Sequence, residues 1–116
     1  MKLEGEGLLL RIFIGEADRW QGRSLHEAIV ARAREAGLAG ATVLRGMIGF
    51  GAKSRIHTAK ILRLSEDLPI VIELVDSAEK IQKILPLLDE MVGDGMVTLE
   101  KVQVIAYRAS PHPKPA

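Results

Sequence analysis

Arg45, Lys53, Arg55, Lys60 and Arg63 lie within the twenty residues from Arg45 to Leu64, which contain no acid. Three glycines, Gly46, Gly49 and Gly51, open that stretch, whose central part reads GMIGFGAKSRIHTAK. The whole chain of 116 residues has 16 Lys and Arg against 15 Asp and Glu, so the positive charge is local and general attraction to nucleic acid is not expected. Glycine tolerates positive φ and leaves its backbone N–H uncovered by a Cβ. Successive N–H groups in that conformation form a nest for an anion, to which Lys53 and Arg55 would add charge. The same residues also fit a glycine bulge that carries a solvated basic loop. On either reading, five cations without an acid repel one another, and an anion or an acidic partner relieves that repulsion.

A second glycine group, Gly93-Asp94-Gly95, stands just before the last apolar run. It reads either as a helix cap and turn or as a phosphate-cradling turn. Against the second stands the negative end of the preceding helix dipole, to which Asp94 adds. A phosphate there needs cations from elsewhere, such as Arg108 or the basic loop of a neighbouring copy. Other candidates are weaker. Trp20 either stacks on a base or covers the edge of the core. Arg11 and Arg45 interrupt apolar strands and read as snorkelling or interfacial arginines, with Glu73 as a partner. His26, in the first turn of a helix, reads as solvated. His57 is the one histidine of the basic loop and can hydrogen-bond a ligand. With His112 these show no metal-ligand spacing. Asp89 and Glu90 fall on the polar side of a helix. No nucleophile motif, Walker A loop or HExxH occurs, so an enzyme is not expected.

The elements that must position these residues are legible from periodicity. LLLRIFI, residues 8–14, is a strand. Ser24 sits three residues ahead of Glu27, the spacing of a capping box, and opens a helix that Gly37 ends. GATVLRGMIGFG is a second strand whose interior glycines imply a bulge or the close approach of another group. LPIVIELV, residues 68–75, is a third. Asp76 or Ser77 caps a second helix, with Glu79 placed for a box from Asp76. That helix buries Ile81, Ile84, Leu85, Leu88, Met91 and Val92, and Pro86 should kink it. MVTLEKVQVIAYR is the last strand. Residues 1–108 therefore form one domain, and residues 109–116, SPHPKPA included, a mobile proline-rich tail.

The order β-α-β-β-α-β is the ferredoxin-like arrangement, an α+β fold with a four-stranded antiparallel sheet and both helices on one face. Strands one and three lie at its centre, and both are apolar on both parities, unlike a sheet with one wet face. Leaving three or four such side chains wet forfeits roughly 1.5–3 kcal/mol each. The face away from the helices is therefore expected to be buried against other subunits. No run reaches the length of a membrane span, the N-terminus MKLEGEG has no apolar signal core, and the absence of cysteine fits a reducing compartment, so a cytoplasmic chain is expected.

With GLAGATVLRGMIGFG, LPIVIELVD and GDGMVTLEKVQV in this order over residues 8–108, the chain resembles the PII-like signalling superfamily, in particular its branch known as domain of unknown function 190. The resemblance implies a small homotrimer that binds an adenine nucleotide in clefts between subunits. It implies roles for Gly49, Phe50 and Gly51 at the base of an effector loop, for Gly93, Asp94 and Gly95 as a phosphate-cradling loop, and for Arg108 in closing the cleft. Lys53, Arg55 and His57 would form the loop shown to a partner, among transporters or metabolic enzymes by analogy. Met96 stands where PII proteins have a lysine, and the loop is shorter and lacks their modified tyrosine. AMP or ADP is therefore implied over ATP, and control by uridylylation is not. The alternative is a ligand-free trimeric module that docks its basic loop on an acidic protein or an anionic membrane surface. No metal or resident cofactor is expected.

Overall fold

The computed structural model describes residues 4–51, 57–58 and 67–109. In chain order the elements are β1 (Gly5–Gly15), β2 (Arg19–Trp20), β3 (Arg23–Ser24), α1 (Leu25–Glu35), β4 (Thr42–Arg45), β5 (Ile48–Gly49), β6 (His57–Thr58), β7 (Pro69–Asp76), α2 (Ala78–Met91) and β8 (Met96–Val104). The principal sheet is antiparallel in the order β4-β7-β1-β8, which is the expected α+β arrangement. Two shorter pairs, β2 with β3 and β5 with β6, lie outside it. The proline-rich tail from residue 110 onward lies outside the described residues.

The core lies between the sheet and the two helices. Leu10, Ile12 and Ile14 of β1 alternate into it, and Ile70, Ile72 and Leu74 of β7 meet them across the ladder. Leu25, Ala28, Ile29 and Ala33 of α1 and Ile81, Ile84, Leu88 and Met91 of α2 complete one buried cluster. Residues directly opposite in an antiparallel ladder share a face. Leu9, Arg11 and Phe13 therefore lie on the other face, with Val75, Glu73 and Val71 beside them. The central strands are apolar on both parities, as expected, and only the helix-side parity is fully covered within the chain.

Helix ends follow local chemistry in part. Gly37 takes φ +81° after α1, its N–H donates to the Arg34 carbonyl, and the Leu38 N–H reaches back to Ala33. Those two bonds are the pattern of a Schellman motif, for which glycine suits the left-handed position. The two expected capping boxes do not form. Ser24 is the N-cap of α1 without a side-chain bond, and Ser77 caps α2 by accepting from the Lys80 N–H at 3.3 Å. Glu79 is thus second rather than third in the helix, out of register for a box. Asp76 is committed elsewhere: fully buried, it accepts from the Ser77 N–H at 2.7 Å and from the Ala39 N–H at 2.8 Å. α2 runs through Pro86 without a break.

Two strand boundaries differ from expectation. The second strand is split, because the Gly46 N–H donates to the Pro69 carbonyl at 2.7 Å and the chain then leaves β7 to pair with His57–Thr58. The last strand stops at Val104, and residues 105–109 run on as irregular chain. The loop GEADRWQGR contains a small hairpin, in which Gln21 (φ +47°) and Gly22 (φ +82°) join β2 to β3. Positive φ at both central residues is the requirement of a two-residue type I′ turn. No helix among the described residues is long and apolar enough to cross a membrane.

Candidate functional site

Both glycine motifs lie at one end of the sheet. The register places Gly15, Pro69 and the C-terminal end of β4 together there, and β8 starts beside Phe13. They occupy opposite edges, however: Gly49 lies beyond β4, whereas Gly93, Asp94 and Gly95 lead into β8. Three strand spacings separate those edges, about 14 Å. One chain therefore does not close the two motifs around a single phosphate group.

The glycines are used for close approach more than for an open nest. Gly49 is outside the left-handed region, and a Cβ there would come within 2.9 Å of the Pro69 ring. One on Gly46 would come within 2.8 Å of the same ring. The pair clasps Pro69 and so ties the root of the basic stretch to β7, a correction to the expectation that Gly49 supplies a positive-φ nest. Gly95 does have positive φ, +152°, and a Cβ there would meet the Phe13 carbonyl at 2.5 Å. A Cβ on Gly93 would meet nothing within 4 Å. Phe50 is exposed, as is Asp94. His57 enters the site through its backbone, paired with Gly49 across β5 and β6. Lys53 and Arg55 lie outside the described residues.

Arg108 is not gathered with the glycines. It follows the C-terminal end of β8, and the nine residues of that strand alone span about 27 Å. At that end the Tyr107 hydroxyl donates to the Ala39 carbonyl at 2.9 Å, and the Tyr107 N–H donates to Glu4 Oε2 at 3.3 Å. Ala39 is the residue whose N–H Asp76 holds, so the segment carrying Arg108 is docked on a buttressed loop. A surface depression of about 520 Å³, lined by Glu6, Lys101, Val102 and Gln103, opens at this same end.

The arginines resolve differently from one another. Arg11 Nε donates to Glu73 at 2.9 Å and Nη1 to Glu100 at 2.8 Å, so it bridges β7 and β8 across the uncovered face. The Glu73 hydrogen bond holds its guanidinium above the ordinary arginine range, against a smaller opposing effect of desolvation. Arg45 does not share Glu73. It pairs with Glu16 at 2.8 Å, on the turn after β1. Sequence reasoning misses that turn: Asp67 accepts from the Ala17 N–H, Asp18 accepts from the Gly15 N–H, and the Glu16 N–H donates to the Leu68 carbonyl. The clustered acids of GEAD and SED are the available signal. Trp20 packs against the core rather than standing free. His26 is not simply solvated, because its Nδ1 is buried without a hydrogen-bond partner. Asp89 and Glu90 are exposed, as their polar helix face predicts.

Comparison with known proteins agrees with this architecture. The family model DUF190, described as Uncharacterized ACR, COG1993, matches residues 7–104. A UPF0166 protein of Aquifex aeolicus is 40% identical over 99 residues, which are 84% of this chain and 91% of that protein. Among solved structures, CPII from Thiomonas intermedia K12, bound to ADP and bicarbonate, superposes with a TM-score of 0.65 at 21% identity, covering 89% of this chain and 91% of CPII. A second CPII structure, bound to ADP, AMP and bicarbonate, gives a TM-score of 0.60 at 20% identity over 90% of this chain and 99% of that one. The ferredoxin-like sheet with its two helices is thus the fold of PII-like proteins, and the chain belongs to the DUF190 family.

Proposed function

We propose that the chain is a PII-like regulatory protein, not an enzyme, which assembles as a homotrimer and binds AMP or ADP in the clefts between subunits. The observation that carries this reading is the division of the candidate site. The Gly49–Gly51 and Gly93–Gly95 groups share one end of the sheet but sit on opposite edges, and Arg108 lies a strand length away, so a single phosphate can meet more than one group only across a subunit boundary. The ADP and AMP held by CPII, which has the same fold, support the choice of nucleotide. Met96, in place of a lysine, favours a mono- or diphosphate over ATP. The basic segment with Lys53, Arg55 and His57 is the surface offered to a partner, and bound nucleotide biases its conformation. Isothermal titration calorimetry with AMP, ADP and ATP tests this: heat is expected with AMP or ADP, and three flat titrations overturn it.

A ligand-free trimeric module is favoured by a different observation. Gly49 uses its small size on Pro69, and the Gly93–Gly95 turn lies at the negative end of α2 beside exposed acids. On this reading the basic segment docks on an acidic protein or an anionic membrane surface. Strongly salt-dependent partner binding that nucleotide leaves unchanged would select it.

A further inference from the structure

At the end of the sheet away from the glycine motifs, the chain past β8 keeps its place with little packing. Residues 105–109 are all exposed, so no buried side chain anchors them. Among the described residues, both hydrogen bonds that fix this segment come from Tyr107. Its N–H donates to Glu4 Oε2 at 3.3 Å, and its hydroxyl donates to the Ala39 carbonyl at 2.9 Å. The sheet order sets two strand spacings, about 10 Å, between β8 and β7, so the segment crosses the end of β1 to reach that loop. The loop itself is held at three points. The Leu38 N–H closes the turn after α1 onto Ala33, Lys80 Nζ donates to the Gly37 carbonyl at 2.8 Å, and Asp76 Oδ2 accepts from the Ala39 N–H at 2.8 Å.

We propose that Tyr107 is a positioning residue for Arg108: its hydroxyl, moored on the Ala39 carbonyl, holds the neighbouring guanidinium where a nucleotide phosphate meets it. The inference rests on the reading of Arg108 as a phosphate contact. Arg108 is exposed, and among the described residues no carboxylate pairs with it, so its charge is open to an anion. A guanidinium recognises phosphate through a planar fork of donors, which profits only when the backbone carrying it is fixed. Asp76 and Lys80 tie the Ala39 loop to β7 and α2, so Tyr107 lends the stiffness of the core to a segment that buries nothing of its own. Without the hydroxyl bond the segment samples positions in which the guanidinium misses the phosphate. Affinity then falls with the fraction of time spent in the competent position.

Tyr107→Phe removes the hydroxyl and little else. Its urea midpoint should match that of the wild type, because the lost bond is exposed and the core is untouched. Calorimetry with ADP is expected to show binding weaker by about two- to tenfold, the worth of one hydrogen bond. Arg108→Ala should weaken ADP binding as well. The double variant should bind no more weakly than Arg108→Ala alone, since a mooring without its guanidinium has nothing to place. A Tyr107 that merely supports the fold would give losses that add. Wild-type affinity in Tyr107→Phe, additive losses, or no loss in Arg108→Ala each overturn the proposal. The functional reading is judged separately, on the wild type: no ADP heat there removes that reading and this role with it. ADP heat in the wild type with an unaffected Tyr107→Phe keeps the reading and removes only the role.

Discussion

The two faces of β1 are built from similar residues and meet different fates. Leu10 and Ile12 point toward the helices and are completely buried, whereas Leu9 and Phe13, on the opposite parity, remain half-covered with Arg11 between them. β7 repeats the contrast with Ile72 and Leu74 against Val71 and Val75. Hydrophobic content alone thus does not decide what is covered within a chain; the number of helices does. Two helices supply one layer, and the second face stays partly exposed within the chain. The charges follow the same division. Among the described residues the buried charge is Asp76, with both carboxylate oxygens engaged, while the other face spreads Arg11 between two glutamates in partial contact with water.

The largest effect should come from the helix side. Ile72→Ala removes buried methyl groups from the centre of the core and should cost about 2–5 kcal/mol, read from urea unfolding. Asp76→Ala tests the charged part of that side. It strands the Ala39 and Ser77 N–H groups, and a loss of about 1–3 kcal/mol for a buried donor left unpaired is expected, together with faster amide exchange at Ala39 and at Tyr107, whose hydroxyl leans on that loop. Gly95→Ala should cost about 1–3 kcal/mol, since its positive φ is strained for alanine and the Phe13 carbonyl is in the way. Gly93→Ala, with open space around it, should stay within about 0.5 kcal/mol, both changes being read from urea unfolding. The smallest effect on the chain itself, and the sharpest on the comparison, belongs to Phe13→Asp. Its circular dichroism should be unchanged while sedimentation at micromolar concentration moves from a trimer to a monomer. A wild-type chain that already sediments as a monomer would remove the difference between the faces.

Much of this is readable in residue order. The alternation in LPIVIELV and the stripe from Ile81 to Met91 name their own faces, and Gly37 ends α1 as its type suggests. What escapes is long-range. Ser24 and Glu27 have the spacing of a capping box but no bond, and Asp76 forgoes its helix because its other oxygen is engaged 37 residues away at Ala39. Arg45 looks matched to Glu73 because both interrupt apolar strands. The register instead sets Glu73 opposite Arg11 and leaves Arg45 beside the turn that carries Glu16. In the candidate site the glycine motifs stand out by type and spacing. Their relation across the sheet, and the seat of Gly46 and Gly49 on Pro69, depend on strand order and packing that no local pattern encodes.

The grip on Pro69 has a mechanical consequence. Gly46 and Gly49 hold the ring from one side of the chain, and β5 is laced to β6 through Gly49 and His57, so the described root of the basic stretch is tied to β7. Pro69 is the first residue of β7. The same strand ends at Asp76, which grips the loop on which Tyr107 rests. β7 is therefore pinned at both tips, by the two glycines at Pro69 and by the Asp76 bond to the loop that carries Ala39, so neither end can shift without disturbing one of these contacts.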